Sequence, residues 1–348
     1  MNLLVFNLAA DADDPLLSFS IRWINALAAH YDRIDVITMR AGRLVTAENV
    51  HVHSVGKEKG YGEARRALEF YRILSQLRRE RPYSACFAHM MPLFALMGAP
   101  LLIGVPITLW YAHRQAHLLL RLATAVSYRA VTSVEPSFPM KTDKLRVVGQ
   151  GIDTDFFSPD SSAPAIPPVI VHVARLMPIK HQATLIRALA DVPDAQAVFV
   201  GDVPPDVDPV YRRELEALVH DLNLADRVIF AGNQLPEGVR DWDRRATIAV
   251  NLSPIGLFDK GALEGMAVGI PTIVGSSAFD DVVEDARLKV SDLDDAVGLA
   301  AKLNALLALP EAERRSLGAQ LRQSVIVAHS LDHLIGRLVN VFNTGEPE

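Results

Sequence analysis

The stretch "SPIGLFDKGALEGMAVGIPTIVG", residues 253–275, decides how the second half of this chain folds. It reads as a loop, a helix start near Lys260, a short helix packed through Leu263, Met266 and Ala267, and a buried strand "IPTIVG". Asp259 can cap that helix, leaving the Gly261 and Ala262 amides facing outward at its positive end. Such a helix start takes up anions. Glu264 falls one turn in, where a carboxylate can accept both hydroxyls of a ribose. Gly261 and Gly265 would let a ligand approach the backbone closely. If the stretch is only a packed turn, Glu264 is a surface acid.

Outward from this stretch, strands and helices alternate along the whole chain. "VIVHVARL", "QAVFVG", "VIFAG" and "TIAVNLS" are strands separated by "HQATLIRALADV", "YRRELEALVHDLNL" and "PEGVRDWDRR", with closing helices from about Leu293 to Asn343. The first half repeats the alternation. "NLLVFNL", "IDVITM", "VHVHSV", "YSACFAHM", "PITLWYAH", "AVTSV" and "KLRVVGQG" are strands, and "SFSIRWINALAAHY" is an amphipathic helix capped by Ser18 or Ser20. Alternation of this kind means parallel sheet with crossover helices. Residues 156–168, "FFSPDSSAPAIPP", carry four prolines and three serines and mark a linker. A length of 348 residues suggests two domains. The expected fold class is therefore α/β, two doubly wound domains facing an interdomain cleft, with ligands expected beyond the carboxyl ends of the strands.

Charge and composition remove several function classes. The formal net charge of −6 is uneven: residues 1–160 hold 18 Lys and Arg against 15 Asp and Glu, and the remainder 17 against 26. Much of the basic charge lies in residues 56–82, where a helix over 63–81 places Leu68, Tyr71 and Leu74 on one face. Arg65, Arg66, Arg72, Arg78, Arg79 and Arg81 surround them. That helix is either an outer, solvated helix or a peripheral contact with an anionic membrane. Met90 to Tyr111 has no charged side chain, but Pro92, Pro100 and Pro106 with Gly98 and Gly104 divide it into a buried helix and a buried strand. The N-terminus begins at once as a strand, without the basic region of a signal peptide. The single cysteine, Cys86, fits a reducing compartment, so the cytoplasm is the expected location. Nucleic acid is not expected as a partner, for want of aromatic-basic interleaving or zinc spacing. His51 with His53 and His113 with His117 lack a third ligand, so no metal is expected. No paired hydrolytic acids, G-x-S-x-G elbow or P-loop is present.

Arg175 at the end of "VIVHVARL" and Lys180 before the next helix can clamp a diphosphate, one as a planar fork and one as a point charge. With these residues quoted, "VARLMPIKHQATLIRAL", "LFDKGALEGMAVGIPTIV" and "VVGQGIDTDFFSPD" together resemble the GT-B retaining glycosyltransferases of family 4 over most of residues 80–290. "GLFDKGALEGMA" is similar to a branch with an L-D-K-x-x-L-E-A-M-A-like motif.

The resemblance implies transfer of a sugar from a UDP- or GDP-sugar to a glycan, lipid-linked or small-molecule acceptor, with retention and without a metal or cofactor. It implies an acceptor-side domain over residues 1–157, a donor-binding domain over 158–329, and a last helix, about 330–348, that packs back on the first domain. Arg175, Lys180, Asp259, Lys260, Gly261, Ala262 and Glu264 would bind the donor, with His113, Arg175 and Lys180 at the chemistry. His89 and the acidic loop with Asp13 and Asp14, which replaces a Gly-Gly turn, would face the acceptor or shape the cleft. One departure stands out. The first Glu of the family's E-x7-E pair falls at Gly256. Two other readings therefore stay open: a degenerate protein of this fold that binds nucleotide or glycan without turnover, and another GT-B enzyme such as a nucleotide-sugar epimerase. Asp153 and Asp155 read as hinge or turn residues.

Overall fold

The computed structural model describes the chain apart from residues 161–164, 205–206 and 255, so the middle of the expected linker lies outside the described residues. The chain divides into two compact units, one of Met1–Gly151 with Leu331–Glu348 and the other of Ile152–Ser330.

The first unit runs β1 (Asn2–Ala10), α1 (Phe19–Ala28), β2 (Arg33–Ala41), β3 (Val50–Ser54), α2 (Glu63–Glu80), β4 (Ala85–His89), α3 (Pro92–Gly98), β5 (Ile107–Trp110), α4 (Leu118–Val126), β6 (Arg129–Thr132) and β7 (Leu145–Val147). All seven strands pair in parallel in the order β3-β2-β1-β4-β5-β6-β7. A parallel sheet covered on both faces needs strands that are apolar throughout. Leu3, Leu4, Val5 and Phe6 of β1 meet that need, all but fully buried. The proline-divided segment forms α3 and β5 inside the core, and among the described residues no helix is long and apolar enough to cross a membrane.

Two local expectations are corrected. Neither Ser18 nor Ser20 caps α1 with its side chain: Ser20 is buried and donates to the Ala9 carbonyl, while Asp14 accepts from the Leu16 and Leu17 amides. In α2 the buried stripe is Phe70, Ile73, Leu74 and Leu77, and Leu68 and Tyr71 stand exposed instead. The sheet selects the face with the most continuous apolar spacing, i, i+3, i+4 and i+7.

The second unit runs β8 (Val169–Val173), α5 (Gln182–Leu189), β9 (Gln196–Val200), α6 (Val210–Asp221), β10 (Val228–Gly232), α7 (Pro236–Arg245), β11 (Ile248–Asn251), α8 (Lys260–Val268), β12 (Thr272–Val274), α9 (Ala296–Ala308) and α10 (Glu311–His329). Its strands are parallel in the order β10-β9-β8-β11-β12. The last helix, α11 (Leu331–Thr344), belongs to the first unit, where Leu334, Ile335, Leu338, Val341 and Phe342 share a core with Trp23, Leu27 and Phe87. Asp153 serves a turn, its carboxylate accepting from the Phe156 amide at 3.0 Å.

Candidate functional site

Each sheet has one place where the strand order reverses direction. In the second unit the chain leaves β8 towards β9 and β10 on one side, and returns to β11 and β12 on the other. In open α/β sheets the crossover helices part at such a point and leave a crevice at the carboxyl ends of the strands, here those of β8 and β11. The residues that follow these two strands assemble a polar cluster around one lysine. Lys180 is buried, and its Nζ donates to Ser253 Oγ at 2.9 Å and to Asp259 Oδ2 at 2.6 Å. Asn251 Nδ2 donates to the same Asp259 oxygen at 3.1 Å, and the Ser253 hydroxyl donates to it as well.

Burial alone would raise the Asp259 carboxyl. The Lys180 ammonium, with the Ser253 and Asn251 hydrogen bonds, holds it below the ordinary carboxylate range. Lys180 is thus no free point charge, because Asp259 neutralises it. This pairing also corrects the capping expectation for Asp259. It holds the N-cap position of α8 but makes no side-chain cap, since its carboxylate turns to Lys180. The Gly261 and Ala262 amides consequently receive no cap from it and remain the positive end of the helix.

The loop from β8 to α5 is fixed from beneath. His172 on β8 is buried, and burial pushes its imidazole down to about 4, so the ring is neutral. Its Nε2 donates to the Lys180 carbonyl at 3.1 Å. Gln182 Nε2 donates to the Arg175 carbonyl at 2.9 Å. His181, between them, holds a left-handed φ of 51°, uncommon for a residue with a side chain. Arg175 lies two residues beyond β8, exposed, with no ion pair among the described residues. It is the uncompensated cation of this crevice.

Glu264 is buried at 4 % exposure and ion-paired with Lys260, so it is not a surface acid. Behind the pair stands a residue that the sequence reading passed over. Asp243 of α7 is wholly buried, and neither carboxylate oxygen has a hydrogen-bond partner among the described residues. Burial, and then the Glu264 charge, push its carboxyl well above the usual range against the pull of Lys260. The two glycines also serve packing. A Cβ on Gly261 would lie 3.0 Å from the Val173 carbonyl, and one on Gly265 3.4 Å from Ala249 Cβ, which seats α8 on β8 and β11. Gly256 has a φ of 85°, a left-handed turn in which a glutamate would be strained.

In the first unit the order reverses between β1 and β4, and the loop after β1 and the end of β4 lie at that point. Asp13 and Asp14 of the loop both have partners. Asp13 pairs with Arg43 at 2.7 Å, and Asp14, buried, pairs with Arg40 besides holding its own turn. His89 is buried among the rings of Phe19, Phe87, Trp23 and Trp110, with centroids 5.1–6.0 Å away. Burial pushes it down to about 4. The next residue, Met90, has a φ of 53°. His113 lies exposed in the loop after β5, its Nδ1 accepting from the Gln115 amide at 3.2 Å. Among the described residues no cluster of three or more His, Cys, Asp or Glu has the geometry to hold a metal.

Residues 167–308 match the family described as glycosyl transferases group 1. Residues of the chain are 33% identical over 147 positions to a D-inositol 3-phosphate glycosyltransferase of Acidothermus cellulolyticus, covering 38% of this chain and 33% of that protein. A GDP-mannose-dependent alpha-(1-6)-phosphatidylinositol monomannoside mannosyltransferase of Mycobacterium tuberculosis is 30% identical over 225 residues, 55% of this chain and 56% of that protein. The chain thus spans a third to just over half the length of these curated relatives. In structure, the Anabaena HepE protein in complex with UDP superposes with a TM-score of 0.77 at 16% identity, over 99% of this chain and 100% of that one. Two Rossmann-like parallel-sheet units matched over the full chain define the GT-B fold.

Proposed function

We propose that the chain is a retaining glycosyltransferase that moves a sugar from a UDP- or GDP-sugar to a glycan, lipid-linked or small-molecule acceptor. The observation that carries this reading is the grouping at the carboxyl ends of β8 and β11: the exposed Arg175, the Lys180–Asp259–Ser253 cluster, the uncapped start of α8, and the buried Glu264. Arg175 and the Gly261 and Ala262 amides would meet the diphosphate, so that leaving-group charge falls on the protein rather than on a metal or cofactor. Glu264 would exchange Lys260 for the two ribose hydroxyls, freeing the Lys260 ammonium towards the phosphates. His113 on the β5 loop would face the donor sugar, and His89, Asp13 and Asp14 would shape the acceptor side. On this reading residues 1–157 serve the acceptor and 158–329 the donor, in the cytoplasm, with α2 resting on the inner face of a membrane.

The names of the relatives support a nucleotide-sugar substrate, since one is GDP-mannose-dependent and a structural neighbour holds UDP. A second reading, binding without turnover, rests on two observations: Gly256 stands where the family's acid is expected, and Lys180 is already neutralised by Asp259.

Thermal unfolding in the presence of UDP, GDP or ADP tests the site. A nucleotide at 100 times its Kd adds about 2.7 kcal/mol of stability. One of the three is expected to raise the midpoint, and Arg175→Ala to remove most of that rise. No shift with any of them would contradict the assignment of the site.

A further inference from the structure

The second unit holds a cavity at the opposite end of its sheet from the crevice just described. It has a volume of about 330 Å³ and opens beside Thr247 and Pro271, which precede β11 and β12, and beside Gly269, which ends α8. That volume lies at the small end of the range for small-molecule sites. Part of its wall is apolar: Ala246, Val268, Ile270 and Ala319 line it.

The charge on the remaining wall is unbalanced. Arg244, Arg314, Arg315 and Arg322 line the cavity against Asp160 and Glu311, a surplus of two positive charges. Three of these arginines are fixed by backbone carbonyls. Arg322 donates to the carbonyls of Phe157 at 3.0 Å, Thr154 at 3.1 Å and Ala267; Arg314 donates to that of Leu307 at 2.8 Å and to that of Leu309; Arg244 donates to that of Ser158 at 2.8 Å. Carbonyls hold a guanidinium in place without cancelling its charge. Among the described residues neither Arg314 nor Arg322 has a carboxylate within ion-pair distance. Burial accordingly pushes the Arg322 guanidinium below its ordinary value.

The first turn of α10, a 19-residue helix that Pro310 begins without a side-chain cap, supplies Glu311, Arg314 and Arg315 to the same cavity, so the positive end of its dipole adds to the field. Among the described residues the acid paired with Arg315 is Glu311, at 2.5 Å, and both side chains are more than half exposed. A pair so exposed contributes little and yields readily to a stronger anion.

We propose that this cavity binds the phosphate of a small phosphomonoester, with the ester's compact apolar or ring portion against Val268, Ile270 and Ala319. A dianion matches the surplus of two charges, and the planar guanidinium forks match phosphate oxygens. The assignment stands independently of the function proposed above, because no residue is shared between the two sites.

Phenyl phosphate titrated calorimetrically into the full chain, in buffer free of phosphate and sulfate, tests it. Saturable binding with one site per chain is expected, with inorganic phosphate weaker and phenol not binding. Ala319→Glu, at an exposed helix position, is expected to weaken phenyl phosphate about tenfold while the unfolding midpoint holds, through like-charge repulsion at the cavity wall. Arg315→Glu should weaken it likewise, and Arg175→Ala should leave it unchanged. No saturable binding to the wild-type chain, or binding to Ala319→Glu as tight as to wild type, would overturn the proposal.

Discussion

At the scale of single residues, the crevice at β8 and β11 is built on two carboxylates with opposite fates. Asp259 is held ionised by Lys180, while Asp243 is pushed towards its neutral form by burial and by Glu264. Linkage gives each a sign. Asp259, depressed in the folded state, contributes stability above its unfolded value of about 3.9, lost as pH falls through its folded value. Asp243, raised in the folded state, keeps its proton where the unfolded chain has released it, so stability falls as pH rises above about 4 until its folded value is reached. Asp243→Asn, which keeps the shape and removes the proton equilibrium, is expected to unfold at a higher temperature than wild type at pH 8, with the gap narrowing towards pH 5. Melting curves across this range check it, and an equal or lower midpoint for the variant at pH 8 would show that the fold does not raise the Asp243 carboxyl. Sequence offered Arg175, Lys180, Asp259 and Glu264 through their places relative to strand ends and the helix start. It did not offer Asp243 or the Lys180–Asp259 pair, because 79 residues separate that pair and only the sheet order brings β8 beside β11. Asn251, polar at the end of the otherwise apolar strand "IAVN", was the available signal for the cluster.

At the scale of elements, periodicity located nearly every helix and strand, since a parallel sheet demands apolar strands and a helix on it demands an apolar stripe. What periodicity left open was which stripe a helix buries when two compete. In α2, burial of Phe70, Ile73, Leu74 and Leu77 leaves Leu68 at 71 % and Tyr71 at 40 % exposure on an outer face shared with Arg65, Arg72 and Arg79. Arg78 is excluded from that face, because its Nε donates to the Leu101 carbonyl. Exposed apolar side chains among arginines are the composition of a helix that lies on an anionic bilayer, each arginine contributing about 1 kcal/mol near the surface. Flotation with phosphatidylserine vesicles is expected to weaken as salt rises and to be lost on combining Arg65→Glu, Leu68→Glu and Arg79→Glu. A triple variant that floats as wild type does would remove α2 from the membrane account. Capping was the least legible feature, since a cap residue's side chain goes to the strongest partner in three dimensions, and for Asp259 that partner is Lys180.

At the scale of the whole molecule, two parallel sheets of seven and five strands each place the candidate site residues near the point where the strand order reverses. Two of the residues with a left-handed φ despite a side chain, Met90 and His181, mark those same points, one in each unit. Strain at such positions persists only where surrounding structure holds it. The two-unit plan was readable from the alternation alone. The return of α11 to the first unit was expected from the family resemblance and not from the alternation, because its apolar stripe would suit either sheet. On the function proposed above, the crevice of the second unit turns over a nucleotide sugar. Incubation of the full chain with UDP- and GDP-sugars and a panel of acceptors, with nucleoside diphosphate release followed and the anomeric configuration of the product read by NMR, tests it directly. Release of one diphosphate is expected, with a product that retains the donor's configuration and a loss of about 100-fold in Arg175→Ala. Nucleotide binding with no release from any donor, or release undiminished in Arg175→Ala, would contradict it.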